Sequence, residues 1–162
     1  MAKHTRKPQT WLYPVPAVLV SCQHEGQANI ITLAWAGIVC SSPVMVGLGI
    51  RPERHSYGII KKSGEFVVNM PQASQVELVD HCGVVSGREH DKFAECGFTP
   101  LSGTMIKAPL IDECPVNLEC QVRKILPLGT HDLFIGEVVL VHYDEELMVN
   151  GRFDLSAADP LA

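Results

Sequence analysis

His131-Asp132-Leu133-Phe134-Ile135-Gly136-Glu137-Val138-Val139-Leu140-Val141-His142-Tyr143 is the stretch that decides the fold. Its β-branched and aromatic content reads as a strand. Leu133, Ile135, Val139 and Val141 fall on one face, and Phe134, Val138 and Leu140 on the other. A strand apolar on both faces has to be covered on both. A barrel interior serves for one side, and a helix or a second subunit is needed for the other.

The chain before it is consistent with that reading. Val116, Leu118, Cys120 and Val122 alternate with Asn117, Glu119, Gln121 and Arg123, a half-buried strand turned by Leu126-Pro127-Leu128-Gly129-Thr130. Val15-Pro16-Ala17-Val18-Leu19-Val20 enters a buried strand through prolines, and Asn29 to Trp35 returns as its hairpin partner. Ala36 to Ser42 is small and mixed. Val44 to Ile50 and Glu65 to Met70 are further strands. Ser74-Gln75-Val76-Glu77 has the capping-box pattern and opens a helix with Val76, Val79 and Cys82 on its apolar side. Asp91 to Gly97 is one or two helical turns ended by glycine. The sum is a mainly β chain with a few short helices between residues 56 and 97, and closure into a barrel removes its sheet edges.

With 162 residues, 46% hydrophobic and 19% charged, the chain suits one globular domain, 1–162, without repeats, heptads or linkers. A net charge of −5 argues against nucleic acid, which needs a basic face. No apolar run is long enough for a membrane span. Ala2 to Thr10 is polar and basic, so no signal peptide is read there. The six cysteines include no CxxC, so no metal site is expected. Reduced thiols in a cytoplasmic protein are the reading.

The most pointed local feature is the corner Arg51-Pro52-Glu53-Arg54-His55-Ser56. Pro52 fixes the turn, Ser56 reads as a helix N-cap, and Gly64 reads as the residue past the helix end. Arg51, Arg54 and His55 crowd a helix N-terminus, the arrangement of an anion site and most simply a phosphate site. A surface turn with solvated arginines fits the same residues. There is no GxSxG, HExxH, Walker loop or GxGxxG, so any hard chemistry belongs to a bound cofactor.

Taken in order, these pieces resemble one family. Val-Ser-Cys precedes Asn-Ile-Ile-Thr-Leu-Ala-Trp. Cys-Ser-Ser-Pro, Arg-x-x-Arg-His-Ser and Gly-Glu-Phe-Val-Val-Asn follow, then Ser-Gly-x-x-x-Asp-Lys-Phe and His-x-x-Phe-Ile-Gly-Glu-Val. From about Pro14 to Tyr143 the chain looks like the flavin reductase-like, FMN-binding split-barrel family, and within it the flavoredoxins. The resemblance implies a six-stranded Greek-key split barrel that forms a homodimer with FMN near the interface. It implies hydride transfer from NADH or NADPH to a flavin, or electron passage through a held FMN to a redox protein. Carried onto this chain, Asn29, Ile30, Ile31 and Thr32 line the ring and ribityl chain, and Trp35 packs near the ring. Ser41 and Ser42 add hydrogen bonds. Arg51, His55 and Ser56 hold the phosphate or ribityl end. Lys92 and Phe93 reach the flavin, and His131 sits near the ring and the entering nicotinamide. Lys92 and His131 are the residues implied in catalysis. Members often continue into a glycine- and aromatic-containing tail; Ala157 to Ala162 stand there in this chain, so a tail contact is not carried over. A non-enzymatic FMN carrier and a module for another phosphorylated ligand are the alternatives.

Overall fold

A computed structural model describes residues 1–162. Strands β1 (Val18–His24), β2 (Gln27–Leu33), β3 (Ala36–Ser41), β4 (Val44–Ile50) and β5 (Glu65–Met70) are followed by the two-residue pair β6 (Pro100–Leu101) and β7 (Leu110–Ile111). Long strands β8 (Val116–Pro127) and β9 (Asp132–Tyr143) come next, then the small pair β10 (Met148–Val149) and β11 (Arg152–Phe153). The helices are α1 (His55–Ser63), α2 (Val76–Val84), α3 (Lys92–Cys96) and α4 (Leu155–Ala158).

Seven strands make one antiparallel sheet in the order β2-β1-β5-β8-β9-β4-β3. The mainly β, split-barrel class is as expected; the strand count is seven, not six. The additional strand is β3, whose mixed residues carry no period-2 signal. It forms because it pairs with β4 across a tight turn, with a register shift between Ile38 and Cys40. The sheet coils around Val20, Leu33, Leu48, Phe66, Cys120 and Phe134. Fully burying Phe66 and Phe134 contributes roughly 2–3 kcal/mol each by the area rule. The end strands β2 and β3 do not pair, which leaves the barrel split on that side.

The second face of β9 finds its cover in an unexpected element. Val139 packs against Val67, Ile106, Ala108 and Leu110, so part of the cover is the irregular segment before β8 rather than a helix. That segment is pinned by Glu119. Its buried carboxylate accepts from the backbone N–H groups of Thr104, Met105 and Ile106 at 2.8–2.9 Å and pairs with His142 Nε2 at 2.5 Å. Val141 and Tyr143 remain exposed.

The helix ends depart from expectation in two places. Arg54, not Ser56, is the N-cap of α1; Ser56 is buried inside the first turn, where its hydroxyl accepts from Asn29 Nδ2 at 2.8 Å. Gly64 does close α1 in the left-handed conformation, φ 71°. The capping pattern before α2 runs from Gln72 to Gln75 rather than from Ser74 to Glu77, with Gln75 Oε1 accepting from the Gln72 N–H at 2.8 Å. The chain end is also more ordered than its polar composition suggests. Leu161 bonds by its backbone to Ala17 and Pro71, and Asp159 to Ala73, which seats residues 159–161 at the end of β1.

Candidate functional site

Strand β2 organises the site because its two faces meet different partners. Ile30 turns to α2 and α3, in a cluster with Val79, Cys82 and Phe93. Ile31 belongs to the barrel core and also lines two adjoining cavities. Two glycines let backbone come this close to β2. A Cβ at Gly83 would stand 3.3 Å from Thr32 Cβ, and one at Gly87 would stand only 2.0 Å from Asn29 Oδ1. Thr32 Oγ1 ties the strand to α2 by donating to the Val79 carbonyl at 2.5 Å.

The first cavity, of about 170 Å³, lies between β2, the start of α1 and residues 82–88. Its lining includes Arg54, His55, Ser56, Arg88 and Lys92. The second, also of about 170 Å³, lies beside it at the split and shares Ile31, Arg54 and Gly83 with it. The pair is in the size range of a cofactor site. At the far end of the second cavity, Trp35 and His131 stack with ring centroids 4.6 Å apart and planes tilted by 42°. Asp132, the neighbour of His131, accepts from Tyr57 Oη at 2.7 Å, so α1 also steadies this end.

The first cavity is built for negative charge. No side chain caps the first turn of α1, and no acidic residue lies in it, so the helix N-terminus keeps its positive end. Lys92 is 4% exposed, and its ammonium donates to the carbonyls of Ile30 at 2.8 Å and Cys82 at 2.6 Å. An ammonium has three donors, so one is left for the cavity that Lys92 lines. Burial holds the Lys92 ammonium below its ordinary pKa. Burial, followed by the charges of Arg88 and Lys92, holds His55 below 6.5. Glu53 is the one carboxylate in the lining; it pairs with Arg51 at 3.5 Å, while its backbone carbonyl accepts from Arg88 Nη2 at 3.2 Å.

Of the residues carried over by resemblance, Asn29, Ile31, His55, Ser56 and Lys92 line the first cavity, and Ile31, Thr32, Trp35, Arg51 and His131 line the second. Arg51 lines the second cavity and not the first, with its guanidinium paired to Glu53 of the first. Ile30 reaches the site only through its carbonyl, and Phe93 packs behind it in the α2–α3 cluster. Ser41 and Ser42 occupy the β3–β4 turn and line neither cavity. Arg54, Arg88, Gly83 and Gly87 are also in the lining. Arg54 sits inside Arg-x-x-Arg-His-Ser, and Gly87 and Arg88 inside Ser-Gly-x-x-x-Asp-Lys-Phe, so their motifs carried the signal although the resemblance gave them no role.

The flavin reductase-like domain family matches residues 11–155 of the chain. An uncharacterized protein of Pyrococcus abyssi is 33% identical over 144 residues, covering 89% of this chain and 83% of that protein. A solved flavoredoxin from Methanosarcina acetivorans superposes with a TM-score of 0.92 at 32% identity, over 99% of this chain and 85% of the other. An FMN-binding protein from Thermus thermophilus, solved with 1-cyclohex-2-enone, superposes with a TM-score of 0.82 at 26% identity, over 94% and 86%.

Proposed function

Since the chain belongs to the flavin reductase-like domain family, we propose that it is an FMN-binding oxidoreductase that draws reducing equivalents from NADH or NADPH and passes them to free flavin or to a redox protein. One observation carries the reading. Two adjoining cavities lead from a cationic pocket at a helix N-terminus to the tilted Trp35–His131 ring pair, which matches a ligand with a phosphate at one end and an aromatic ring at the other.

The residues fit FMN. Arg54, Arg88, His55 and the first turn of α1 hold the phosphate, with Ser56 fixed behind them by Asn29. Lys92 directs its spare donor to a carbonyl or to negative charge on the ligand. Ile31, Arg54 and Gly83 line both cavities, and Trp35 and His131 border the ring end. FMN, when bound, supplies the hydride-accepting and electron-donating chemistry. The protein positions it, favours charge on it through Lys92, and keeps the His131 imidazole close by to orient a second ring or exchange a proton. We assign a homodimer with the flavin near its interface. The support is apolar surface continuous with the second cavity: Trp35, Ile38, Val39 and Val44 are 44–62% exposed along the β3–β4 hairpin. A cytoplasmic setting is supported by six free cysteines. No helix is long and apolar enough to cross a membrane.

The visible spectrum of the purified protein, mass analysis of the released chromophore and steady-state oxidation of NADH and NADPH with FMN test the proposal. A yellow protein with FMN and turnover is the expected result. The similarity to a flavoredoxin favours a second reading, an FMN electron carrier without its own NAD(P)H activity. Bound FMN without NAD(P)H oxidation selects that reading. A colourless protein that takes up no added FMN rejects both.

A further inference from the structure

The wall of the first cavity contains one thiol, Cys82, and a second, Cys96, meets it from α3; the flavin-site reading leaves both without a role. Cys82 lies on α2, lines the cavity and is fully buried. Cys96 ends α3 and is half-buried. Their sulfurs are 3.6 Å apart, and both cysteines are free. No intervening side chain has to leave for a bond of about 2.05 Å to form between them.

We propose that Cys82 and Cys96 are a peroxide-oxidised dithiol that closes to a disulfide in the wall of the anion cavity and thereby weakens ligand binding there. The coupling rests on the flavin reading of that cavity; the thiol chemistry does not. Cys96 is the more accessible sulfur, and burial pushes the Cys82 thiol up to about 12, so Cys96 reacts first. The Cys96 thiolate attacks one peroxide oxygen and the O–O bond breaks. Cys96 becomes a sulfenic acid, and the second oxygen leaves as hydroxide and takes up a proton to give water. The Cys82 sulfur then attacks the sulfenic sulfur. The S–OH bond breaks, and the hydroxyl leaves with the Cys82 thiol proton as a second water. Two thiols and one peroxide give one disulfide and two waters, with one electron from each sulfur. Thiols such as glutathione or thioredoxin reverse it.

Closure changes the cavity through a short physical route. The Cys82 carbonyl is one of the two that hold the Lys92 ammonium, and Gly83 beside it packs on Thr32. Bond formation shortens the sulfur gap by about 1.5 Å, and the share of that closure taken up by the α2 backbone moves the Cys82 carbonyl and the adjoining cavity lining, where small shifts matter.

The test uses the whole chain, reduced and then freed of reductant, with and without a stoichiometric excess of hydrogen peroxide. Trypsin leaves Cys82 on residues 63–88 and Cys96 on residues 93–107. The expected product is a cross-link between those two peptides, with loss of two hydrogens from the intact mass and reversal by dithiothreitol. FMN titration by fluorescence should show roughly fivefold or weaker binding after oxidation. Cys96→Ser, and separately Cys96→Ala in case one variant fails to fold, should bind FMN as the reduced protein does and lose the peroxide effect. Oxygen adducts on Cys96 without a cross-link, or a cross-link between other cysteines, overturns the dithiol. A cross-link with unchanged FMN affinity overturns the coupling. If the reduced chain binds no FMN, the flavin reading and the coupling fall together, and the peptide map still decides the dithiol.

Discussion

Two buried charges, Lys92 and Glu119, show how similar chemistry serves opposite ends. Both are almost wholly buried, and both are stabilised mainly by backbone groups. Glu119 is closed on all sides, with three N–H donors and His142 around one carboxylate. Lys92 is left incomplete: two carbonyls for three donors, and an open cavity in front. A saturated buried charge organises structure. A buried charge with a spare donor facing a cavity marks a binding site. The difference arises from what each must hold. Glu119 fixes an irregular segment of its own chain, while Lys92 and its cationic neighbours hold a position for something that is not part of the chain.

Four variants would break or sharpen this contrast. Removing the cationic grip with Arg54→Ala and Arg88→Ala should have the largest effect. FMN affinity should fall roughly a hundredfold or more, as charge-assisted contacts are worth about 1.5–3 kcal/mol each. Riboflavin affinity, measured in parallel by fluorescence, should change little, and equal losses for both ligands would contradict the phosphate assignment. Lys92→Met should weaken FMN about tenfold or slow its reduction in stopped flow, with Tm nearly kept, since Met fits the apolar stem. Unchanged binding and unchanged half-reaction kinetics would remove Lys92 from the site.

Glu119→Gln should act the other way, lowering stability by about 2–3 kcal/mol in urea melts while leaving FMN affinity within about twofold. Burial alone raises the Glu119 carboxyl, but the His142 bond and the three backbone N–H groups outweigh it, so its pKa lies below 4.5. A carboxyl with a depressed folded-state pKa contributes fully above 4.5 and loses that contribution as pH falls through the folded value. The stability gap between wild type and Glu119→Gln should therefore narrow on acidification below pH 4.5; a constant gap would show that the ionised form is not what pins the loop. The smallest effect is expected from Ser41→Ala with Ser42→Ala, within about twofold in FMN affinity. A tenfold loss would mean that the β3–β4 turn of a second copy completes the site.

Much of the barrel was legible because alternation along β8 and the two-faced β9 leave few ways to cover apolar surface. Strand β3 was not, because its exposed and small residues carry no period. The loop that covers β9 was not legible either. Its anchor is a glutamate that looks solvent-facing in a plain alternation, yet is fully buried. The anion corner could be read from Arg51 to Ser56, but the roles inside it could not. Ser56 caps nothing and instead meets Asn29, 27 residues away in sequence. Arg51 turns to the other cavity, and Arg88 takes the place beside His55.

By itself, the sequence determined six of the seven strands of the main sheet, the helix ends at Gly64 and Gly97, and that a basic helix start waits between β4 and β5. These are local matters, fixed by periodicity, turn residues and backbone freedom within a few positions. Only the tertiary structure decided which charges meet. It brought Lys92 to the carbonyls of Ile30 and Cys82, Arg88 to the start of α1, and Cys82 to within 3.6 Å of Cys96. Such meetings depend on how helices seat on a sheet, through close approaches such as Gly83 on Thr32 and Gly87 on Asn29, and no local pattern encodes them.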